Sequence, residues 1–261
     1  MMTDKKSDLE IITFDIETTG FHPCDDDPLD PGKKIEIVSW CANDYGIIQD
    51  KTHTEESVLR ELSSYFMQKN KQNTRIVTFM GGTSRGTGFD FPFLRTVFTR
   101  YDVLWPFLDF NHVDMFPIIQ QHYDLDYSEL GVLKDFSAPE LKKMAIHFGL
   151  KAESTMALNI ASITEMVEQY HINEYIKEKG EMKNKTHNTL KDACLLLLKI
   201  KGFDIDGSIV PKMFAEWKKT GDDSILKTIM EYNKDDCIKT RALYEEAIKT
   251  VSRYEMRGKL L

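Results

Sequence analysis

The sequence predicts an α/β fold: a mixed central sheet flanked by helices, with extra helices toward the C-terminal end. Three observations lead there. Short apolar, β-branched runs concentrate early in the chain; segments of helical periodicity fill the intervals between them; and the last third carries helical periodicity alone.

The first strand spans residues 11–17, and an acidic loop rich in Pro and Gly at 24–32 interrupts regular structure. Strands resume over 34–42 and at Ile47 and Ile48, after a turn at Asn43-Asp44-Tyr45-Gly46, and are read as antiparallel neighbours of the first. Residues 54–67 form a helix, which Thr54 can cap and which sets Val58, Leu62 and Tyr65 on one face. A strand at 75–79 leads into the Gly-rich segment 81–88. That segment has neither the Lys of a phosphate-binding Walker loop nor the dinucleotide-binding G-x-G-x-x-G pattern, so it reads as a flexible loop. A helix then opens at Asp90 with Phe91, Leu94 and Phe98 inward. A strand at 112–115 runs into a helix toward His122, and a helix over 138–148 ends at Gly149. Helices follow at 189–200, 208–219 and from 223 to about 250. The economical division is one domain over 1–261 with a helical insertion at about 150–187.

The 261 residues suffice for a core that needs no staples. The cysteines at 24, 41, 194 and 237 are far apart, with no C-x-x-C pair, which argues against a zinc ribbon or a disulfide framework. Reduced thiols, an N-terminus without the apolar core of a signal peptide, and no apolar run of membrane-spanning length together predict a cytoplasmic protein. The net charge of −8 disfavours a long non-specific grip on duplex nucleic acid and allows a small footprint, such as a strand end. The lysines at 177, 179, 183 and 185 are interleaved with glutamates and read as a solvated face.

One stretch breaks its own pattern. In Ile11-Ile12-Thr13-Phe14-Asp15-Ile16-Glu17-Thr18-Thr19, two carboxylates occupy the same face of a core strand, where they repel unless a cation joins them. Asp90 precedes Phe91-Pro92 and reads equally as a helix N-cap or a metal ligand. On the last helix, 100° steps put Ile225, Ile229, Leu243 and Ala247 on one buried stripe. Tyr232 and Asp236 fall inside it, one turn apart, while Asp235 points to the polar side with Lys239. His187 and Asp192 form another histidine–aspartate pattern. Helical projection puts Asp192 opposite the stripe of Leu190, Ala193, Cys194 and Leu197, so the pair stays a second option.

Phe14-Asp15-Ile16-Glu17-Thr18, Phe89-Asp90-Phe91-Pro92-Phe93-Leu94 and Tyr232-Asn233-Lys234-Asp235-Asp236 resemble the three ordered motifs of DEDD-type 3′-5′ exonucleases of the ribonuclease H-like superfamily. The tyrosine of the third motif places the likeness with the DEDDy branch. The chain is similar there to the proofreading domain of family-B DNA polymerases and to its stand-alone relatives. Relatives usually carry an Asn-Gly turn shortly before the second motif; here Met80 and the Gly-rich loop stand in its place. No polymerase palm or fingers fit the remaining residues, which points to a free-standing nuclease.

The resemblance implies Asp15, Glu17, Asp90 and Asp236 as ligands of two Mg²⁺ or Mn²⁺ ions, with Tyr232 orienting the attacking water. It also implies Thr18 and Thr19 against the terminal nucleotide, and Phe89 as a stacking face for the base before it. The expected partner is a single-stranded 3′ end, DNA ahead of RNA. Two rivals stand beside that reading. One is an exoribonuclease, and the other is a non-catalytic nucleic-acid or protein-binding module, which would be expected to lose ligands that this chain keeps.

Overall fold

The computed structural model describes residues 9–20, 34–82, 88–123, 189–201, 205 and 207–253. The expected loop at 24–32, the centre of the Gly-rich segment, the helix at 138–148, the insertion at 150–187 and His187 lie outside them. The chain divides into two compact units, Met1–His122 with Lys201–Leu261, and Tyr123–Ile200.

The first unit is built on strands β1 (Glu10–Thr18), β2 (Ile37–Ala42), β3 (Tyr45–Ile48), β4 (Thr74–Thr78) and β5 (Asn111–Asp114). They form one five-stranded mixed sheet in the order β3-β2-β1-β4-β5. β1 runs parallel to β4, and β4 parallel to β5, while β2 is antiparallel to both β1 and β3. The expectation that both early strands neighbour the first is corrected here: β3 pairs with β2. Asn43, at a φ of 57°, turns the chain so tightly that β2 and β3 close as a hairpin.

Helices α1 (Glu55–Met67) and α2 (Asp90–Arg100) cover one face of the sheet. Ile12, Phe14 and Ile16 of β1 pack there with Val58, Leu62, Phe66, Phe91, Leu94 and Phe98. Thr54 caps α1, its hydroxyl accepting from the Ser57 amide at 3.3 Å. On the other face, Val38 packs with Val210, Phe214 and Trp217 of α5 (Val210–Thr220) and with Leu226 and Ile229 of α6 (Asp223–Arg253). Between α2 and α5 in sequence lie α3 (Met115–His122) and α4 (Leu190–Leu198), the latter belonging to the second unit.

Alternation along β1 does the rest. With Ile12, Phe14 and Ile16 turned toward α1 and α2, Thr13, Asp15 and Glu17 face α6. The ladder between β1 and β2 slips at Glu17 and Thr18: Glu17 pairs with Ser39 and Thr18 with Ile37, so Val38 is an extra residue. This bulge explains why Ile37 and Trp40, three residues apart, join the same core while Val38 joins the opposite one. β2 begins at Ile37 and not, as the sequence suggests, at 34.

In the second unit, Thr189 caps α4 by accepting from the Asp192 amide at 3.1 Å, and Lys199 closes it in the left-handed conformation. Leu190, Ala193 and Cys194 are buried, and Asp192 is half-buried in the first turn. No helix among the described residues is long and apolar enough to cross a membrane.

Candidate metal centre

Carboxylates from both ends of the chain meet on the α6 face of β1. Asp15, Glu17 and Asp236 offer oxygens that all lie within 4.8 Å of one another. Asp90 joins them electrostatically: among the charges acting on Asp15, it ranks ahead of Glu17 and Asp236. Two of these acids sit on β1, one heads the helix that follows β4, and one sits within α6. The cluster thus gathers where the parallel strands end, the usual place for a ligand in an open α/β sheet.

Asp90 reads in the sequence as cap or ligand, and its position separates the two. The N-cap of α2 is Phe89, which makes no side-chain capping bond, and Asp90 is the first helical residue. It is buried, and its Oδ2 has no hydrogen-bond partner. A buried carboxylate oxygen without a partner is costly and calls for a cation or a proton.

Burial pushes the Asp15 carboxyl well above the ordinary carboxylate range, and Asp90, Glu17 and Asp236 push it further. Asp90 is raised by burial and by the neighbouring carboxylate of Asp114. Asp236 is raised by burial, with Lys239 and a hydrogen bond from Tyr232 opposing the rise. Each of these groups binds its proton more tightly folded than unfolded, so the folded state binds more protons. Stability of the metal-free protein then falls as pH rises above the ordinary carboxyl value of 3.8. His112, pulled down to about 4 by burial, contributes with the opposite sign up to its ordinary 6.5. Mn²⁺ is expected to raise Tm, and by more as pH rises from 3.8 through the raised carboxyl values, His112 entering both series alike. A melting series with and without the ion checks this, and a gain independent of pH would contradict it.

Tyr232 lies one turn before Asp236 on α6, half-buried, as the stripe predicts. Burial raises its phenol far above the usual value; Asp236, Glu17 and Asp15 add to the rise, as does its hydrogen bond to Asp236. The hydroxyl therefore keeps its proton in the metal-free site. A Cβ built on Gly207, in the 3₁₀ turn Gly207–Ile209, would sit 3.2 Å from that hydroxyl oxygen, so this turn passes close to the tyrosine.

Three neighbours were not legible as site residues. Asn233 is fully buried, and its Nδ2 donates to Asp15 Oδ2 at 2.6 Å. An asparagine in the interior of a long helix is itself the signal, since asparagine has poor helix propensity and needs a local reason to be there. Lys239 corrects the helical projection. It is 2% exposed, with Nζ 2.5 Å from Asp235 and 3.2 Å from Asp236. Residues three apart share a helix face, so Lys239 follows Asp236 inward while its long stem reaches back to Asp235. Burial disfavours its charge, but the two carboxylates outweigh that and raise its pKa. Asp114 is the third, a buried acid at the end of β5.

The residues expected to touch substrate are engaged locally. Thr18 is buried and its hydroxyl donates to the Gly20 carbonyl. The Thr19 hydroxyl accepts from the Glu36 amide at 2.8 Å. Phe89 stacks on Phe93 with centroids 5.4 Å apart and planes 16° apart. Cys41 and Cys237 are buried free thiols, Cys41 being paired with Asp15 across the β1–β2 ladder. Cys237 donates to the Cys41 carbonyl, and burial pushes its thiol well up, so Cys237 acts as neutral lining.

The donor set suits Mg²⁺ or Mn²⁺: oxygen ligands alone, mutually repelling, with one buried oxygen unpartnered. Asn233→Ala would remove the donor that fixes Asp15, and loss of such outer support typically weakens metal binding about 10- to 100-fold. Mn²⁺ titration of the variant checks this, and an unchanged affinity would contradict it. A family model described as the RNase_H superfamily matches residues 12–164 and 163–248. No curated protein matches the chain.

Proposed function

The chain belongs to the RNase_H superfamily, and on that footing we propose that it is a metal-dependent 3′-5′ exonuclease of the DEDDy type. Its substrate is the 3′ end of single-stranded nucleic acid, DNA ahead of RNA. The observation that carries the reading is the meeting of Asp15, Glu17 and Asp236 within 4.8 Å, with buried Asp90 alongside and Tyr232 bonded to Asp236. Enzymes of this superfamily are mostly nucleases that use divalent metals, and the acidic cluster is suited to hold them.

In this reading Asp15, Glu17, Asp90 and Asp236 hold two Mg²⁺ or Mn²⁺ ions. Bound there, such ions would offset charge on the scissile phosphate and activate a water. The side chains do the positioning. Asn233 fixes one Asp15 oxygen, Oδ2, by donating to it at 2.6 Å. Lys239 offsets part of the charge on Asp236 and Asp235. Tyr232 would align the water with its hydroxyl and not act as a strong base. Because the hydroxyls of Thr18 and Thr19 already serve the backbone, these residues would meet the terminal nucleotide through main-chain groups and methyls. Phe89, backed by Phe93, would offer its remaining face to a base. The chain's net charge of −8 accords with a grip on a few nucleotides.

The test is a Mn²⁺-dependent assay on single strands labelled at the 5′ end, with DNA and RNA in parallel. The expected result is a ladder that shortens from the 3′ end, faster on DNA and abolished by chelation. Internal cleavage without shortening, or no cleavage of either polymer, would overturn the proposal. Faster digestion of RNA would move the substrate and keep the chemistry.

A further inference from the structure

Asp114 carries a role that the ligand set leaves out. It closes β5, is 5% exposed, and accepts three backbone N–H donors. Met80 and Phe116 donate to Oδ1 at 3.0 and 3.1 Å, and Gly82 donates to Oδ2 at 3.0 Å. With both oxygens engaged by amides, this carboxylate is a structural acceptor and not a vacant ligand.

The amides it holds lead directly to Asp90. The Met80 carbonyl accepts from the Phe89 amide at 2.7 Å, and the Gly81 carbonyl accepts from the Phe91 amide at 2.8 Å. These two bonds flank Asp90 on either side. Met80 has a φ of 61°, an uncommon conformation for a side-chain-bearing residue that the surrounding bonds must sustain. The bracket is also tight: a Cβ on Gly88, at φ 125°, would lie 2.2 Å from the Gly82 backbone. The corner that replaces the relatives' Asn-Gly turn is thus tied down from β5 by a single carboxylate.

We propose that Asp114 is a positioning residue for Asp90: by holding the Met80 and Gly82 amides it fixes the two carbonyls that bracket Asp90, and so sets that acid for metal binding. The inference rests on Asp90 being a metal ligand. It also accounts for the repulsion between Asp114 and Asp90, which raises the latter. The bracket needs an acceptor on both Asp114 oxygens, and a carboxylate supplies them.

Asp114→Asn keeps the shape but turns one acceptor into a donor facing an N–H. Two readouts on the metal-free protein and its Mn²⁺ complex test the inference. Amide hydrogen exchange at Phe89 and Phe91 should quicken at least tenfold while helix α1 is unaffected. Mn²⁺ affinity, by calorimetry, should fall about 10- to 100-fold, the size expected when support behind a ligand is lost. Asp114→Glu, which retains the charge and displaces it, should show the same pair of changes, and it decides the matter if the asparagine variant does not fold. Unchanged exchange at Phe89 and Phe91 overturns the bracket, and full Mn²⁺ affinity in either folded variant overturns the link to the ligand. If the native protein binds no Mn²⁺, the metal reading fails separately, and the exchange data still judge the bracket.

Discussion

Asp15→Asn is expected to lower turnover on the order of 10³-fold, because cations stabilise the transition state by several kcal/mol, at about 1.4 kcal/mol per tenfold in rate. Asp15 is the hub of the cluster. It is acted on by Asp90, Glu17 and Asp236, and it alone accepts from buried Asn233. The same substitution should leave the metal-free protein at least as stable as the native one, since it removes a carboxyl group that repels three neighbours. Loss of activity with stability kept or gained separates a ligand from a packing residue. Rate assays at saturating Mn²⁺, paired with thermal melts, check both halves. A variant with near-native turnover would refute the assignment.

Tyr232→Phe should slow hydrolysis on the order of 10²-fold, the low end of what a positioned proton-bearing group contributes. Mn²⁺ affinity should stay within a few-fold, because the phenol bonds to Asp236 without being a ligand itself. The pH profile provides the sharper signature. Burial and three carboxylates hold the phenol far above its ordinary value in the metal-free site, so it aligns water and is not expected to be the base. The variant should therefore lower the whole profile without removing a limb. A limb that vanishes with the hydroxyl would make Tyr232 a base. If His187→Ala proves the more damaging change, the histidine-containing third motif is the right one.

Much of the fold was legible because period and punctuation agree in this chain. Thr54 caps α1, Asp223 opens α6, and the apolar stripe of Ile229, Leu243 and Ala247 is buried with Tyr232 and Asp236 on it. The clustering of acids at 15, 17 and 236 was readable from the cost of placing carboxylates on a core strand and inside an apolar stripe. The rest depends on contacts that no local pattern encodes. The bulge at Val38 arises from register with β1, and only pairing reveals it. Lys239 looks like a surface residue until its ammonium is seen between Asp235 and Asp236. Asp114 reads as the polar end of a strand, and its meaning comes from amides more than thirty positions away in sequence.

The most direct measurement is anomalous diffraction from crystals soaked in Mn²⁺. Density is expected at a position shared by Asp15 and Asp236, with further density reached by Glu17 or Asp90. Peaks confined to other acidic surfaces, with the Asp15–Asp236 cluster empty at saturating Mn²⁺, would contradict the account.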